Sequence, residues 1–452
     1  MLNSEKMARS LIAPLPEDIA SLVYSGQFSL ADEVIGLRLK RDMPEELRLR
    51  LMMVKEMELS LRRRYIYSFA EAFEAMKAEV EDITEAELDR LWKEGAIDWR
   101  YIDGEMRFID NFPKNIVDTR PEYRARSKRG PKAGEELRDY AIAKMIRQGQ
   151  ASYKIKIRHS LSIKPEAQKP GQIARVHLPL PLEEGGGMAS GLKILKPRPG
   201  NAAYSPGYYP VRTVCLTGNS TDEFIAEYEY TSTARYIVPD PNEAMLSSQP
   251  SFETEEILPH VVFTPYIRSV AGSLAGTSRN PVEIAKRIYD FVTKNIQYSY
   301  MRDYFALESI CEYALTSLKG DCGVQALLFI CLCRANGIPA RWHSGLWACP
   351  GAIGSHDWAQ YYIAPYGWLF ADCSFGGSAY REGSLERHEF YSSNIEPFRM
   401  ASNRAFQYQF IPAKKHMRID PYDSQTGEAE YEGSPLKAGE LSIKLEVEAT
   451  EL

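Results

Sequence analysis

Three side chains in the last third of this 452-residue chain have types and order suited to nucleophilic chemistry. Cys322 stands in Gly320-Asp321-Cys322-Gly323, His356 in Gly354-Ser355-His356-Asp357-Trp358, and Asp372 closes Trp368-Leu369-Phe370-Ala371-Asp372. A thiolate can attack a carbonyl carbon, an imidazole can move the protons, and a carboxylate can hold the imidazole in one tautomer.

The local pattern says how each would be positioned. Residues 324–335 contain neither Gly nor Pro, and Asn336-Gly337 with Pro339 is a helix-stop signal, so Cys322 should open a helix of roughly 14 residues. That helix is apolar on nearly all sides and should be buried. At its N-terminus, free N–H groups and the positive dipole end would favour thiolate over thiol. His356 begins a strand over 357–363, a turn follows at Ala364-Pro365-Tyr366-Gly367, and a second strand runs to Asp372. A hairpin centred on Ala364 sets His356 directly opposite Asp372, with Cβ atoms about 4.5–5.5 Å apart. Asp357 would point to the other face of the sheet and is not expected to orient His356.

Taken together, Gly320-Asp321-Cys322, Arg334-Ala335-Asn336-Gly337-Ile338-Pro339-Ala340-Arg341, His356-x-Trp358 and a Trp368-x-x-x-Asp372 strand resemble the core of the transglutaminase-like superfamily. An upstream helix opening at Asn280-Pro281 and ending near Tyr298 extends the resemblance over roughly residues 262 to 380. The resemblance implies a papain-like α+β catalytic core, with Cys322 as nucleophile, His356 as general base and acid, and Asp372 as orienter. It also implies an N-terminal β-sandwich of the bacterial type. The backbone N–H of Cys322 is a natural oxyanion donor. Papain-like enzymes place a glutamine six residues before the cysteine; Thr316 stands there, so the second donor is open. The Tyr298 hydroxyl could supply it, or Tyr298 could be core packing. Of the nearby aromatics, Trp347 in an expected loop over 346–355 and Trp358 are the candidate substrate-binding residues.

Charge density divides the rest. The first 150 residues hold 26 Lys/Arg and 28 Asp/Glu, against 62 charged residues in the other 302. Residues 1–150 read as a mostly helical, charged domain. It has a long amphipathic run from Pro44 to about Lys77, a capping box at Thr84-Glu85-Ala86-Glu87, and a hairpin around Asp103-Gly104. Arg62-Arg63-Arg64 and 124–129 are basic clusters, and the second, followed by Gly130-Pro131, reads as a solvated loop rather than a nucleic-acid patch. Residues 151–248 alternate with period two and read as an antiparallel, immunoglobulin-like β-sandwich, with His159 and His177 as half-buried strand residues rather than ligands. The catalytic core is expected over 249–400. A C-terminal extension over 401–452 carries one more edge strand near 441–447.

Net charge −6 offers no global attraction to nucleic acid or to an anionic membrane. No apolar run approaches the roughly 18 residues of a spanning helix. The first residues carry no signal-peptide core, so a cytoplasmic location with reduced thiols is expected. The seven cysteines lack metal-ligand spacing, so neither metal nor cofactor is expected. The reading is a cysteine-dependent acyl-transfer enzyme working on peptide or amide bonds through a thioester. Hydrolysis is favoured over cross-linking, since nothing marks a lysine site or a calcium loop. The alternatives are a protein-glutamine transglutaminase or deamidase, and a non-catalytic interaction protein using the core as scaffold. The N-terminal region could bind a protein partner.

Overall fold

A computed structural model describes residues 6, 9–130, 133–245 and 247–452. The N-terminal part is helical, with helices that include Glu17–Tyr24, Phe28–Arg38, Glu45–Arg64, Phe69–Glu79, Glu85–Lys93, Phe112–Thr119, Pro121–Arg126 and Glu135–Gln148. The expected helical run over 44–77 is interrupted. Tyr65-Ile66-Tyr67 is rich in strand-forming side chains and leaves the helix to pair with Glu105–Ile109. Ser68 then starts the next helix through a capping box with Glu71. Asp103 (φ 49°) and Gly104 (φ 88°) turn the Trp99–Ile102/Glu105–Ile109 hairpin, both in the left-handed region that a two-residue turn of this hand requires. The cluster at 124–129 is not a solvated loop. Arg124 and Arg126 lie on a helix, and with Arg129 they pair with Asp118, Asp82, Glu87 and Glu79.

Two four-stranded antiparallel sheets follow. One runs Leu441–Glu451, Gln150–Ile163, Glu223–Arg235, Ala189–Ile194; the other runs Glu428–Tyr431, Ile173–Pro179, Thr213–Asn219, Ala202–Tyr204. Each therefore takes a strand from beyond residue 400, and residues 151–248 alone do not complete the pair. His159 and His177 are fully buried rather than half-buried: His159 Nε2 meets the Thr426 carbonyl at 2.9 Å, and His177 stacks on Phe410 at 4.6 Å.

The centre of the third part is the helix Cys322–Ala335, buried from Gly323 through Arg334. Helices Pro265–Ala275, Pro281–Asn295 and Ile310–Ser317 pack around it, and it lies on an antiparallel sheet ordered Gly367–Ala371, Gly354–Ile363, Ala340–Trp347, Arg399–Asn403. The last strand crosses the expected boundary at 400, so the sheet continues past the expected end of the core. Its outer edge is covered: Leu182 N–H donates to the Ala401 carbonyl and Arg212 N–H to the Ser402 carbonyl, both at 2.8 Å, which ties the second β-sheet to the core.

Gly345 lets the Ala340–Trp347 and Arg399–Asn403 strands meet, because a Cβ there would lie 1.9 Å from the Met400 carbonyl oxygen. Gly345→Ala should therefore destabilise the protein by about 1–3 kcal/mol, read as a lowered midpoint in denaturant unfolding.

Candidate active site

The structure brings His356 and Asp372 together: Nε2 lies 2.7 Å from Oδ2, and both residues are buried. The register that does so differs from the expected one. Ala359 faces Ala371 and Ile363 faces Gly367, which shifts the pairing by two residues and sets Asp372 level with Trp358, diagonal to His356. A shift of two preserves the face of every side chain, so the contact survives. Pairing stops at Ala371 because Asp372 becomes the N-cap of helix Cys373–Arg381, accepting from Phe375 N–H at 2.9 Å.

Asp372 is held from four sides. Besides His356 and Phe375 N–H, Ser374 Oγ donates to Oδ1 at 3.1 Å and Arg399 Nη2 lies 3.0 Å from Oδ2. Burial alone would raise this carboxyl, but His356, Arg399 and the hydrogen bonds outweigh it and hold it at about 2. Arg399 is fully buried and also pairs with Glu396, whose carboxylate accepts from Trp347 Nε1 at 2.8 Å and from Tyr391 Oη at 3.1 Å. The guanidinium lies 4.1 Å from the centroid of the Phe375 ring. Burial pushes the His356 imidazole below its ordinary value against the pull of Asp372, so it is neutral at neutral pH. With Nε2 on Asp372, Nδ1 is the nitrogen left for a reacting group.

Cys322 is the first residue of its helix and partly exposed. Its thiol donates toward Asp357 Oδ2 at 3.4 Å and makes no hydrogen bond with His356. The surroundings of Cys322 oppose the expected thiolate preference. Burial pushes the thiol well above its usual range, and the Asp357 and Asp321 carboxylates push it further. Asp321 caps the helix, accepting from Val324 N–H at 3.1 Å, so a carboxylate already occupies the positive end that would otherwise have served the thiolate. Asp357 also accepts from Gln425 Nε2 at 2.6 Å, and Asp321 from Tyr304 Oη at 2.6 Å. Tyr298 lies beside Cys322. Its two-residue strand runs parallel to Lys319-Gly320, and burial, with the nearby Cys322 and Asp321 groups, raises its phenol.

Tyr298 and His356 both line a cleft of about 990 Å³ between the core and residues 114–138 of the helical part; Cys322 is not among the residues that bound it. Trp347 lines it too, but as the last residue of a strand rather than in a loop, and it packs edge-on against Phe375 at 5.2 Å. Trp358 is corrected: fully buried between His343 and His356, it belongs to the core and not to the cleft.

Residues 268–373 match the family model of the transglutaminase-like superfamily. The chain contains a transglutaminase-like domain. No curated protein matches the chain. Among solved structures, a cysteine protease candidate from Cytophaga hutchinsonii aligns with a TM-score of 0.39 at 16% identity, over 67% of this chain and 91% of its own. The periplasmic domain of TgpA from Pseudomonas aeruginosa aligns with a TM-score of 0.29 at 14% identity, over 57% of this chain and 97% of its own.

The sequence pattern points to neither Arg399 nor Glu396, and it places Asp357 on the far face without its contact to the thiol. The one available signal was a charged residue between Phe398 and Met400 in an apolar run.

Alkylation of Cys322 followed by mass spectrometry should show a midpoint above the roughly 8.5 of a free thiol. Asp357→Asn should move that midpoint to lower pH; an unmoved midpoint removes Asp357 from the account. Arg399→Ala leaves Asp372 and Glu396 as buried carboxylates without their cation and should cost about 3–5 kcal/mol of unfolding free energy.

Proposed function

We propose that this protein is a cysteine-dependent hydrolase of peptide or amide bonds. The observation that carries the reading is the buried His356–Asp372 pair, held by Arg399 and opening on the cleft that Tyr298 also lines. The reaction starts from a neutral thiol and a neutral imidazole. The Cys322 side chain rotates from Asp357 toward His356, and its proton passes to Nδ1 as sulfur attacks the carbonyl carbon. The oxyanion accepts hydrogen bonds from the Cys322 N–H and the Tyr298 hydroxyl. His356 then protonates the leaving amine, and a water activated by the same imidazole hydrolyses the thioester.

Water is favoured over an amine acceptor by the walls of the cleft. Its lining includes Arg381, a cation without an ion pair among the described residues, and no carboxylate there is left without a cation partner to receive a lysine ammonium. A second reading, a scaffold without catalysis, draws its support from one contact: the thiol faces Asp357 instead of His356.

Screening full-length protein against fluorogenic peptides, with a labelled primary amine present, tests the proposal. Cys322→Ala and His356→Ala should each lose activity by about 10³-fold or more, with free acid and not the labelled amide as product. Because His356 must be neutral to accept the proton and burial lowers its pKa, kcat/KM should fall only below about 6.5 on acidification. Equal turnover by Cys322→Ala would remove Cys322 from the reaction, and no turnover by the unmutated protein would leave the scaffold reading.

A further inference from the structure

The helix that Asp372 caps runs along the cleft. Ser374, Ser378 and Arg381 share one face at i, i+4 and i+7 and all line the cavity, so the helix leads away from His356. Ser374 hydrogen-bonds Asp372 at the reactive end. Arg381 starts seven residues further on, and its side chain turns back along the helix.

The cations around Arg381 are paired. Arg124 meets Asp118, Arg129 meets Glu79, Arg138 meets Asp139, and Arg387 meets Asp139 and Glu382. Arg381 makes neither an ion pair nor a hydrogen bond among the described residues. Its guanidinium lies over Gly377, where a Cβ would be 3.2 Å from Nη1, so the missing side chain supplies its seat. Burial pushes this guanidinium down from its ordinary value, with Glu382 as the opposing charge. A partly buried cation without an anion, in a cleft whose other groups are already matched, is arranged for an anion that arrives with the substrate.

We propose that the cleft takes a peptide bearing a carboxylate near the bond attacked, and that Arg381 binds that carboxylate. The identity of the substrate rests on the acyl-transfer reading above; the subsite itself is tested without turnover.

The test uses full-length Cys322→Ala and rhodamine-labelled peptides of alanine and glycine, with a single glutamate moved along the chain and glutamine counterparts. Each peptide is made as the C-terminal acid and as the amide, and binding is followed by fluorescence anisotropy at low and high salt. One glutamate position should bind about tenfold tighter than its glutamine partner, with the advantage shrinking in salt. Arg381→Gln should abolish the difference and Arg381→Lys should keep part of it. If the advantage follows the C-terminal acid instead, the chain end supplies the carboxylate and the subsite stands. Equal binding of glutamate and glutamine peptides at every position, or a preference that survives in Arg381→Gln, overturns the proposal. Glutamate discrimination in a protein that turns over no peptide would sink the acyl-transfer reading and leave the subsite in place.

Discussion

The guanidinium of Arg399 holds the candidate site together. It is fully buried, with the carboxylates of Asp372 and Glu396 as its counterions. Charges out of water are tolerated only when paired and hydrogen-bonded, so the position of Arg399 dictates the positions of both acids. One acid orients His356, and the other accepts from Trp347 and Tyr391 in the wall of the cleft. Both the proton-transfer group and the surface it faces therefore depend on one strand, Arg399–Asn403. The second β-sheet clamps the outer edge of that strand. Packing far from the chemistry is thus coupled to the angle of the imidazole.

The two halves of the site are electrostatically unlike. On the histidine side, burial of the imidazole is offset by a fixed carboxylate, and the group stays neutral and aligned. On the cysteine side, Asp321 caps the helix and Asp357 touches the thiol, so both carboxylates oppose ionisation. A thiol kept protonated at rest is protected from oxidation, because the thiolate is the reactive form.

The charged N-terminal part contributes one wall of the cleft rather than standing apart from the core. Lys114, Arg124, Arg129 and Arg138 face the core-derived His356, Ser374 and Arg381 across it. The ion pairs of these four stay within the helical part, while Arg387 of the core pairs with Asp139 and Lys114 Nζ donates to Tyr300 Oη across to the core. The high charge density of residues 1–150 is therefore spent on local pairing, within that part and across the cleft.

Much of the site was legible in local pattern. The helix Cys322–Ala335 follows from an unbroken apolar run and its stop signal, and the Asp103-Gly104 turn from the only residue types that take its backbone angles readily. The likeness of His356 and Asp372 to a paired base and orienter survived a wrong register because strand faces repeat every two residues. Trp347 and Trp358 show the limit, since both are large aromatics near the histidine and only their burial separates a cleft wall from the core. The sequence by itself determined which groups could do chemistry and which short elements carry them, because capping, turns and periodicity act over a few residues. Only the tertiary structure decided that Arg399 and Glu396 lock Asp372, that Asp357 rather than His356 meets the thiol, and that Arg381 is left without an anion. Those relations join segments distant in the chain, and their energies come from desolvation and charge pairing, which no local pattern encodes.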